Sequence, residues 1–328
     1  MSASVGWAIV THGGAATPRQ YAAGCERAAA AARLVLVAGG DAVAAALEAT
    51  RLLEDEPRYN AGTGSNLRLD GSTVQMDAAV MASDGRFGGV ACIERVQNPV
   101  LVAARVMETP HLVLVGEGAT AFARRLGFPD YDPVTEAARA KHARAMQELA
   151  GAGDGYFADD ALPWRGGAAS RYWNFDGEPS LLAQLSAAVA SEVPRGELSR
   201  NPPGRNGGCD TVGAVVRDSS GGFCATASTG GTVYMLRGRV GDSPIIGCGL
   251  YAGPHGAVAA TGIGEEIARR VLAKAIYDWL AEGMSPSAAG ARAVSMFDTT
   301  IDVGLLIASR GECVVAGNRE FATCTLLG

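Results

Sequence analysis

Apolar residues fall along this chain in two rhythms, one of strands and one of helices. A short apolar run over 5–11 ends in His12-Gly13-Gly14-Ala15 and predicts a buried strand that runs into a turn. Thr17-Pro18 offers a hydroxyl cap and a first-turn proline, so an alanine-rich helix is expected to about residue 37, stopping at Gly39-Gly40. Asp41 is the predicted cap of a second helix over 42–53, where apolar residues recur at helical spacing. The glycine-punctuated stretch Pro57-Arg58-Tyr59-Asn60-Ala61-Gly62-Thr63-Gly64-Ser65-Asn66 reads as a loop. Alternation then predicts strands over 72–82 and 87–95, and a third apolar run covers 111–115. A helix is expected over 118–126, with Glu117 as its cap.

From about 129 to 208 the pattern weakens. Helices are predicted over 134–150 and 180–193, separated by polar, glycine-rich pieces such as Trp164-Arg165-Gly166-Gly167. The stretch 130–205 therefore reads as a connection that tolerates being opened. Strand signal returns over 211–217, 222–229, 245–250 and 257–261. A long helix is expected over 265–282 and another over 288–296, before closing strands over 301–308, 312–316 and 320–326. Helices between two groups of strands predict a two-layer sheet core flanked by helices.

Composition narrows the function. Of 328 residues, 48% are hydrophobic and 19% charged, a globular balance with enough chain for a substantial core. The 44 glycines point to tight turns and close backbone approaches. A net charge of −6 without a basic stripe argues against nucleic acid as a partner. No cationic segment precedes a long apolar run, so neither a signal peptide nor a membrane span is expected and the cytoplasm is the default location. Seven scattered cysteines without a CxxC pair fit free thiols in a reducing compartment.

The chemistry concentrates at Cys209-Asp210-Thr211-Val212-Gly213-Ala214-Val215-Val216, which follows the loop Asn201-Pro202-Pro203-Gly204-Arg205-Asn206-Gly207-Gly208. Cutting the Asp210–Thr211 bond would give Thr211 a free α-amine beside its own hydroxyl. An α-amine titrates near ~8, so it can serve as general base for that hydroxyl at neutral pH. Taken alone, Thr211 reads first as an ordinary threonine at the start of a strand. The segments around it separate the two readings.

Those segments are Ser228-Thr229-Gly230-Gly231, Gly238-Arg239-Val240-Gly241-Asp242-Ser243-Pro244, Tyr251-Ala252 and Ala260-Thr261-Gly262-Ile263-Gly264-Glu265. With His12-Gly13-Gly14-Ala15 and Asn60-Ala61-Gly62-Thr63-Gly64, they resemble the plant-type L-asparaginase and isoaspartyl peptidase family, which belongs to the threonine N-terminal-nucleophile hydrolases. The likeness runs from about residue 7 to the end and fades over 130–205. It implies an α/β (α+β) fold, a four-layer αββα sandwich, made as one precursor domain over 1–328. Cleavage at Asp210–Thr211 would then give an α subunit, 1–210, and a β subunit, 211–328.

The same likeness assigns the site. Thr211 is the nucleophile, Thr229 orients it, and Thr261 with the Gly262 N–H forms the oxyanion hole. Arg239 reads the substrate α-carboxylate with a planar fork that lysine lacks, and Asp242 pairs with the α-ammonium. Gly264 brings backbone close to that ammonium, and Asn60 steadies the surroundings of the nucleophile. A loop of backbone carbonyls from Leu53, Glu54, Glu56, Tyr59, Ala61 and Thr63 is implied to wrap a structural sodium ion, a hard cation suited to oxygen. No cofactor is implied for the chemistry. The implied substrate is a small aspartyl or asparaginyl compound, the reaction hydrolysis of isoaspartyl dipeptides and of the asparagine side-chain amide, and the assembly a homodimer of αβ units.

Two departures leave alternatives open. Ile263 stands where many members carry a small polar residue, which bears on substrate choice. Asp210 stands where plant-type members usually have glycine; together with Asn60-Ala61-Gly62-Thr63-Gly64-Ser65-Asn66-Leu67 it resembles glycosylasparaginase or the threonine aspartase. A non-catalytic binder of aspartyl ligands is the alternative of another class. His12, before Gly-Gly, reads as a structural turn residue, and the remaining histidines share no metal-binding spacing.

Overall fold

The computed structural model describes residues 6–151, 211–233 and 235–328, with the backbone alone for 148–151. The predicted helix over 180–193 and the first residue of the Asp210–Thr211 bond lie outside the described residues. The first half contributes strands β1 (Ala8–His12), β2 (Met76–Ala82), β3 (Phe87–Ile93) and β4 (Val113–Val115). Its helices are α1 (Ala22–Val37), α2 (Ala42–Glu54), α3 (Pro99–Val106), α4 (Gly116–Arg125) and α5 (Glu136–Gly151). After residue 210 come β5 (Val212–Arg217), β6 (Phe223–Thr229), β7 (Leu250–Gly253) and β8 (Gly256–Gly262). Helices α6 (Gly264–Arg270), α7 (Leu272–Ala281) and α8 (Pro286–Val294) precede β9 (Val303–Ala308), β10 (Cys313–Gly317) and β11 (Thr323–Leu327).

The strands form two sheets, one of seven in the order β11-β1-β5-β6-β2-β3-β4 and one of four in the order β10-β9-β8-β7. All pairs are antiparallel except β3 with β4. Because successive strand side chains alternate faces, one strand feeds two cores. Ala78 and Val80 of β2 join a core with residues of α1, α2 and α3, whereas Ala79 and Met81 turn to a second core. That second core also takes Val215, Ala225 and Ala227 from the large sheet and Ala257, Ala259 and Leu306 from the small one. Val258, Ala260, Leu305 and Ile307 face a third core with Ile276, Leu280 and Ala289 of α7 and α8. These strands are buried on both faces, so they read as continuous apolar runs.

Local chemistry explains the boundaries that were foreseen and those that were not. Asp41 caps α2 as expected, its Oδ1 accepting from the Ala44 N–H at 2.8 Å. Thr17 does not cap α1: its hydroxyl donates to the Gly13 carbonyl, and the chain first makes a 3-10 turn over Arg19–Tyr21. Glu117 does not cap α4, because the helix starts one residue earlier and Val115 holds the cap position. Glu117 instead lies in the first turn, where an acid suits the helix dipole.

Two predicted elements are corrected. The strand over 245–250 is a turn wrapped on Asp242, whose carbonyl accepts from the Ile245 and Gly249 N–H groups at 3.0 and 3.1 Å. The long helix over 265–282 breaks at Val271, which takes φ 44° and ψ 50°. The break lets the first turn of α7 dock on that turn: the Ala273 and Lys274 N–H groups donate to the Cys248 and Gly247 carbonyls at 3.2 and 2.8 Å. Helix α3 went unforeseen. Its Val100 N–H is satisfied by Glu54 Oε1 at 2.9 Å, a cap from another element that leaves no local signature.

Candidate active site

Thr211 directly precedes β5 and is buried. On one side, Val212 pairs with Ser228, so the antiparallel register carries Thr211 to the position opposite Thr229. On the other side, His12 pairs with Gly213, which carries Gly14 opposite Thr211. Thr229 ends β6 and is buried; its Oγ1 accepts from the Gly231 N–H at 2.9 Å, which leaves the hydroxyl proton to be given elsewhere. Asp210 lies outside the described residues.

Thr261 and Gly262 close β8 in the small sheet. The Ala15 N–H donates to Thr261 Oγ1 at 3.1 Å, so the His12–Ala15 turn of one sheet is tied to the strand end of the other. Gly262 has φ 147°, and a Cβ there would lie 2.4 Å from the Asp302 carbonyl oxygen. No other residue fits that position without moving β9.

Arg239, Asp242 and Gly264 converge. A Cβ on Gly264 would stand 2.8 Å from Arg239 Nη2 and 3.0 Å from Asp242 Oδ1. Glycine is thus the only side chain that lets α6 approach this cation and this anion together. Arg239 Nε and Nη2 donate to Glu265 Oε1 and Oε2 at 2.9 and 2.8 Å, a bidentate pair that fixes the guanidinium plane. Burial alone would raise the Glu265 carboxyl, but these two bonds bring it below its ordinary value. Asp242 is 3% exposed, and its Oδ2 has no hydrogen-bond partner. Burial pushes its carboxyl up to about 7, with Arg239 offsetting part of that rise. A half-neutralised, unsatisfied acid beside an oriented arginine is what a zwitterion reader needs before its ligand arrives.

Asn60 steadies the far side of Thr229. Its Nδ2 donates to the Gly231 carbonyl, its Oδ1 accepts from the Asn66 N–H at 2.8 Å, and its carbonyl accepts from the Gly230 N–H at 2.8 Å. His12 is fully buried, with Nδ1 accepting from the Gly14 N–H at 3.2 Å. Nε2 makes no hydrogen bond of normal geometry, although the Thr211 backbone is close enough to favour a proton there. Burial wins and holds the ring at about 3, so His12 is neutral at pH 7 and shapes the turn, as its sequence context suggested.

Of the carbonyls expected to wrap sodium, that of Leu53 accepts from the Glu56 N–H, that of Glu54 from Thr63 and that of Glu56 from Tyr59. Each still has a second lone pair. The Glu54, Gln97, Pro57 and Tyr59 carbonyl oxygens crowd within 3.0 Å of where Cβ atoms on Gly62 and Gly64 would be, an oxygen-rich cradle whose donors suit a hard cation. Among the described residues no cluster of His, Cys, Asp and Glu side chains is placed to hold a metal. None of the six described cysteines is paired, and no described helix is long and apolar enough to cross a membrane.

The sequence reading missed several polar residues that the fold brings to this site. Glu54 was considered only for its carbonyl, yet its buried carboxyl accepts from Ser228 Oγ at 2.6 Å as well as from Val100. Burial drives that carboxyl up to about 8. Asp77, Gln75 and Arg68 lie beneath the Arg239 turn. Their signal was present: Asp77 is a lone acid inside the apolar run of β2, and Arg68 stands between Leu67 and Leu69. A charge inside an apolar pattern is seldom buried without a partner.

The family described as Asparaginase matches residues 5–324. A plant-type L-asparaginase of Pyrococcus horikoshii is 38% identical over 296 residues, 88% of this chain and 84% of the relative. An isoaspartyl peptidase/L-asparaginase of Danio rerio is 33% identical, covering 90% of this chain and 82% of its own. An N(4)-(beta-N-acetylglucosaminyl)-L-asparaginase of Elizabethkingia miricola is 32% identical over 79% of this chain and 63% of its own.

Proposed function

The chain belongs to the asparaginase family, and from that premise we propose that it hydrolyses β-aspartyl amides, both isoaspartyl dipeptides and L-asparagine, through an acyl-enzyme on Thr211. One observation carries the reading: the β5–β6 register that sets Thr211 opposite Thr229, in a chain whose Arg239 and Asp242 converge on Gly264. The three cores described above support a four-layer αββα sandwich formed by one domain over 1–328.

The reaction runs in two acts. In the precursor, Thr211 Oγ attacks the Asp210 carbonyl carbon, the peptide C–N bond breaks, and the Thr211 nitrogen takes a proton to become the free amine. Water hydrolyses the resulting ester, which leaves an Asp210 carboxylate on 1–210 and the hydroxyl on 211–328. In turnover, the α-amine accepts the Thr211 hydroxyl proton while Oγ attacks the substrate β-carbonyl. The Thr261 hydroxyl and the Gly262 N–H donate to the negative oxygen. The amine then returns the proton to the departing ammonia or peptide amine, and water clears the acyl group from Oγ. Arg239 holds the α-carboxylate, Asp242 the α-ammonium, and the backbone of Gly264 lies against that ammonium. Thr229 and Asn60 keep the nucleophile in place.

The carbonyls of Leu53, Glu54, Glu56, Tyr59, Ala61 and Thr63 would hold sodium, which would stiffen the loop that presents Asn60. Two αβ units form the proposed assembly. A glycosylasparaginase-like preference is the second reading, favoured by Asp210 and by the Elizabethkingia relative. Intact mass and N-terminal sequencing of active protein test the first act, with a chain beginning Thr-Val-Gly-Ala expected. Uncleaved protein that turns over would refute it. Rates on asparagine, β-Asp-Leu and glycosylated asparagine decide between the two readings.

A further inference from the structure

Three backbone groups of the turn that carries Arg239 are met by side chains that approach it from below. The Gly238 N–H donates to Gln75 Oε1 at 2.7 Å, and the Gly241 N–H donates to Asp77 Oδ2 at 3.3 Å. Between them the Arg239 carbonyl accepts from Arg68 Nη2 at 3.4 Å, with the Cys92 thiol 3.8 Å away. Gln75, Asp77 and Arg68 are all buried.

Each of these props is itself fixed. Gln75 Nε2 donates to Glu94 Oε1 at 2.9 Å. A carboxylate only accepts, so this bond sets which end of the amide faces Glu94 and turns Oε1 to the Gly238 N–H. Asp77 uses both oxygens, because Oδ1 accepts from the Cys92 N–H at 2.8 Å. Its backbone, on β2, pairs with Thr229, the residue whose other neighbour in the register is Thr211. One residue thus spans the row of threonines and the turn that bears the arginine.

We propose that Gln75 and Asp77 are positioning residues that fix the carboxylate-reading turn at a set distance from the nucleophile, so that an aspartyl side chain reaches Thr211 and one a methylene longer does not. The inference rests on the β-aspartyl amidase reading above and adds to it the parts that measure substrate length. Self-cleavage needs Thr211 and its neighbours but no free α-carboxylate, so losing a prop separates the two acts.

The experiment uses the full chain. Gln75→Met keeps the volume and removes the acceptor, which leaves the Gly238 N–H unpaired. We expect KM for asparagine to rise roughly tenfold, with kcat and self-cleavage held within about twofold. Preference for asparagine over glutamine should shrink in parallel. The double exchange Gln75→Glu with Glu94→Gln reverses the donor and acceptor between the two positions and restores an acceptor to Gly238, so KM should return to within about threefold of wild type. Should Gln75→Met fail to fold, Glu94→Ala lets the amide turn and should raise KM in the same direction by a smaller factor. An active wild type whose KM is unmoved by these variants, or whose kcat and self-cleavage fall together with KM and are not rescued by the exchange, overturns the inference alone. A wild type that neither cleaves itself nor releases ammonia overturns the amidase reading and this inference with it.

Discussion

Replacing Asp242 by asparagine keeps the side chain's shape and removes its charge. In the wild-type protein the carboxyl is 3% exposed and raised from 3.8 to about 7 by burial, with Glu265 and Asp77 adding repulsion against the Arg239 attraction. For an acid raised in this way the folded state keeps its proton where the unfolded chain has lost it. Stability therefore falls as pH climbs from about 4 to about 7 and is flat above. At 1.36 kcal/mol per pKa unit, burying this acid costs about 2 kcal/mol at pH 5.5, where it is kept protonated, and about 4 kcal/mol at pH 8.5, where it is charged. The neutral amide of Asp242→Asn removes that cost at either pH. Thermal melts of the variant and its parent, both in a Thr211→Ala background that keeps the chain whole, should show a Tm gain of several degrees. That gain should be about twice as large at pH 8.5 as at pH 5.5. In the active background the variant loses the anion that meets the substrate ammonium, and KM for asparagine should rise roughly 10- to 100-fold. An equal gain at both pH values, a lower Tm at pH 8.5, or an unchanged KM would refute the reasoning.

Thr261→Val retains the shape of β8 but loses the hydroxyl, so kcat should drop by roughly 10²–10³ in steady-state ammonia release. Glu265→Gln weakens the hold on the Arg239 plane; because the pair is part-exposed at 16% and 37%, the expected rise in asparagine KM is only several-fold, and smaller still in high salt. Ser228→Ala removes the hydroxyl bonded to Glu54, and chemical denaturation should show a loss of roughly 1–3 kcal/mol.

Much of the fold was legible because the strands end in glycine-rich motifs and one helix, α2, begins at a recognisable cap. Asp41 announces α2 within four residues of chain, and the β5 run is apolar throughout. What escaped depends on distant partners. Val271 breaks a helix that propensity favours because α7 has carbonyls at Gly247 and Cys248 waiting for its first N–H groups. Ile245 and Ile246 look like strand residues, yet both are about 40% exposed on a turn gathered by one carbonyl of Asp242. In the site, Arg239, Asp242 and Gly264 were found through short motifs. Asp77 and Gln75 were not, since the N–H groups they accept lie 164 and 163 residues away.

The order of strands in the large sheet has a consequence for the mature protein. Strands β11, β5 and β6 come from the segment after residue 210, whereas β1, β2, β3 and β4 come from the segment before it. Reading across the sheet, the two segments alternate, meeting at β11–β1, β1–β5 and β6–β2. A nick ahead of Thr211 would therefore yield two interleaved polypeptides, stitched by three ladders of backbone hydrogen bonds and a shared core. Neither piece could leave without tearing the sheet apart, so the nicked molecule should melt in one cooperative step, and halves synthesised separately should have no fold to adopt until they meet.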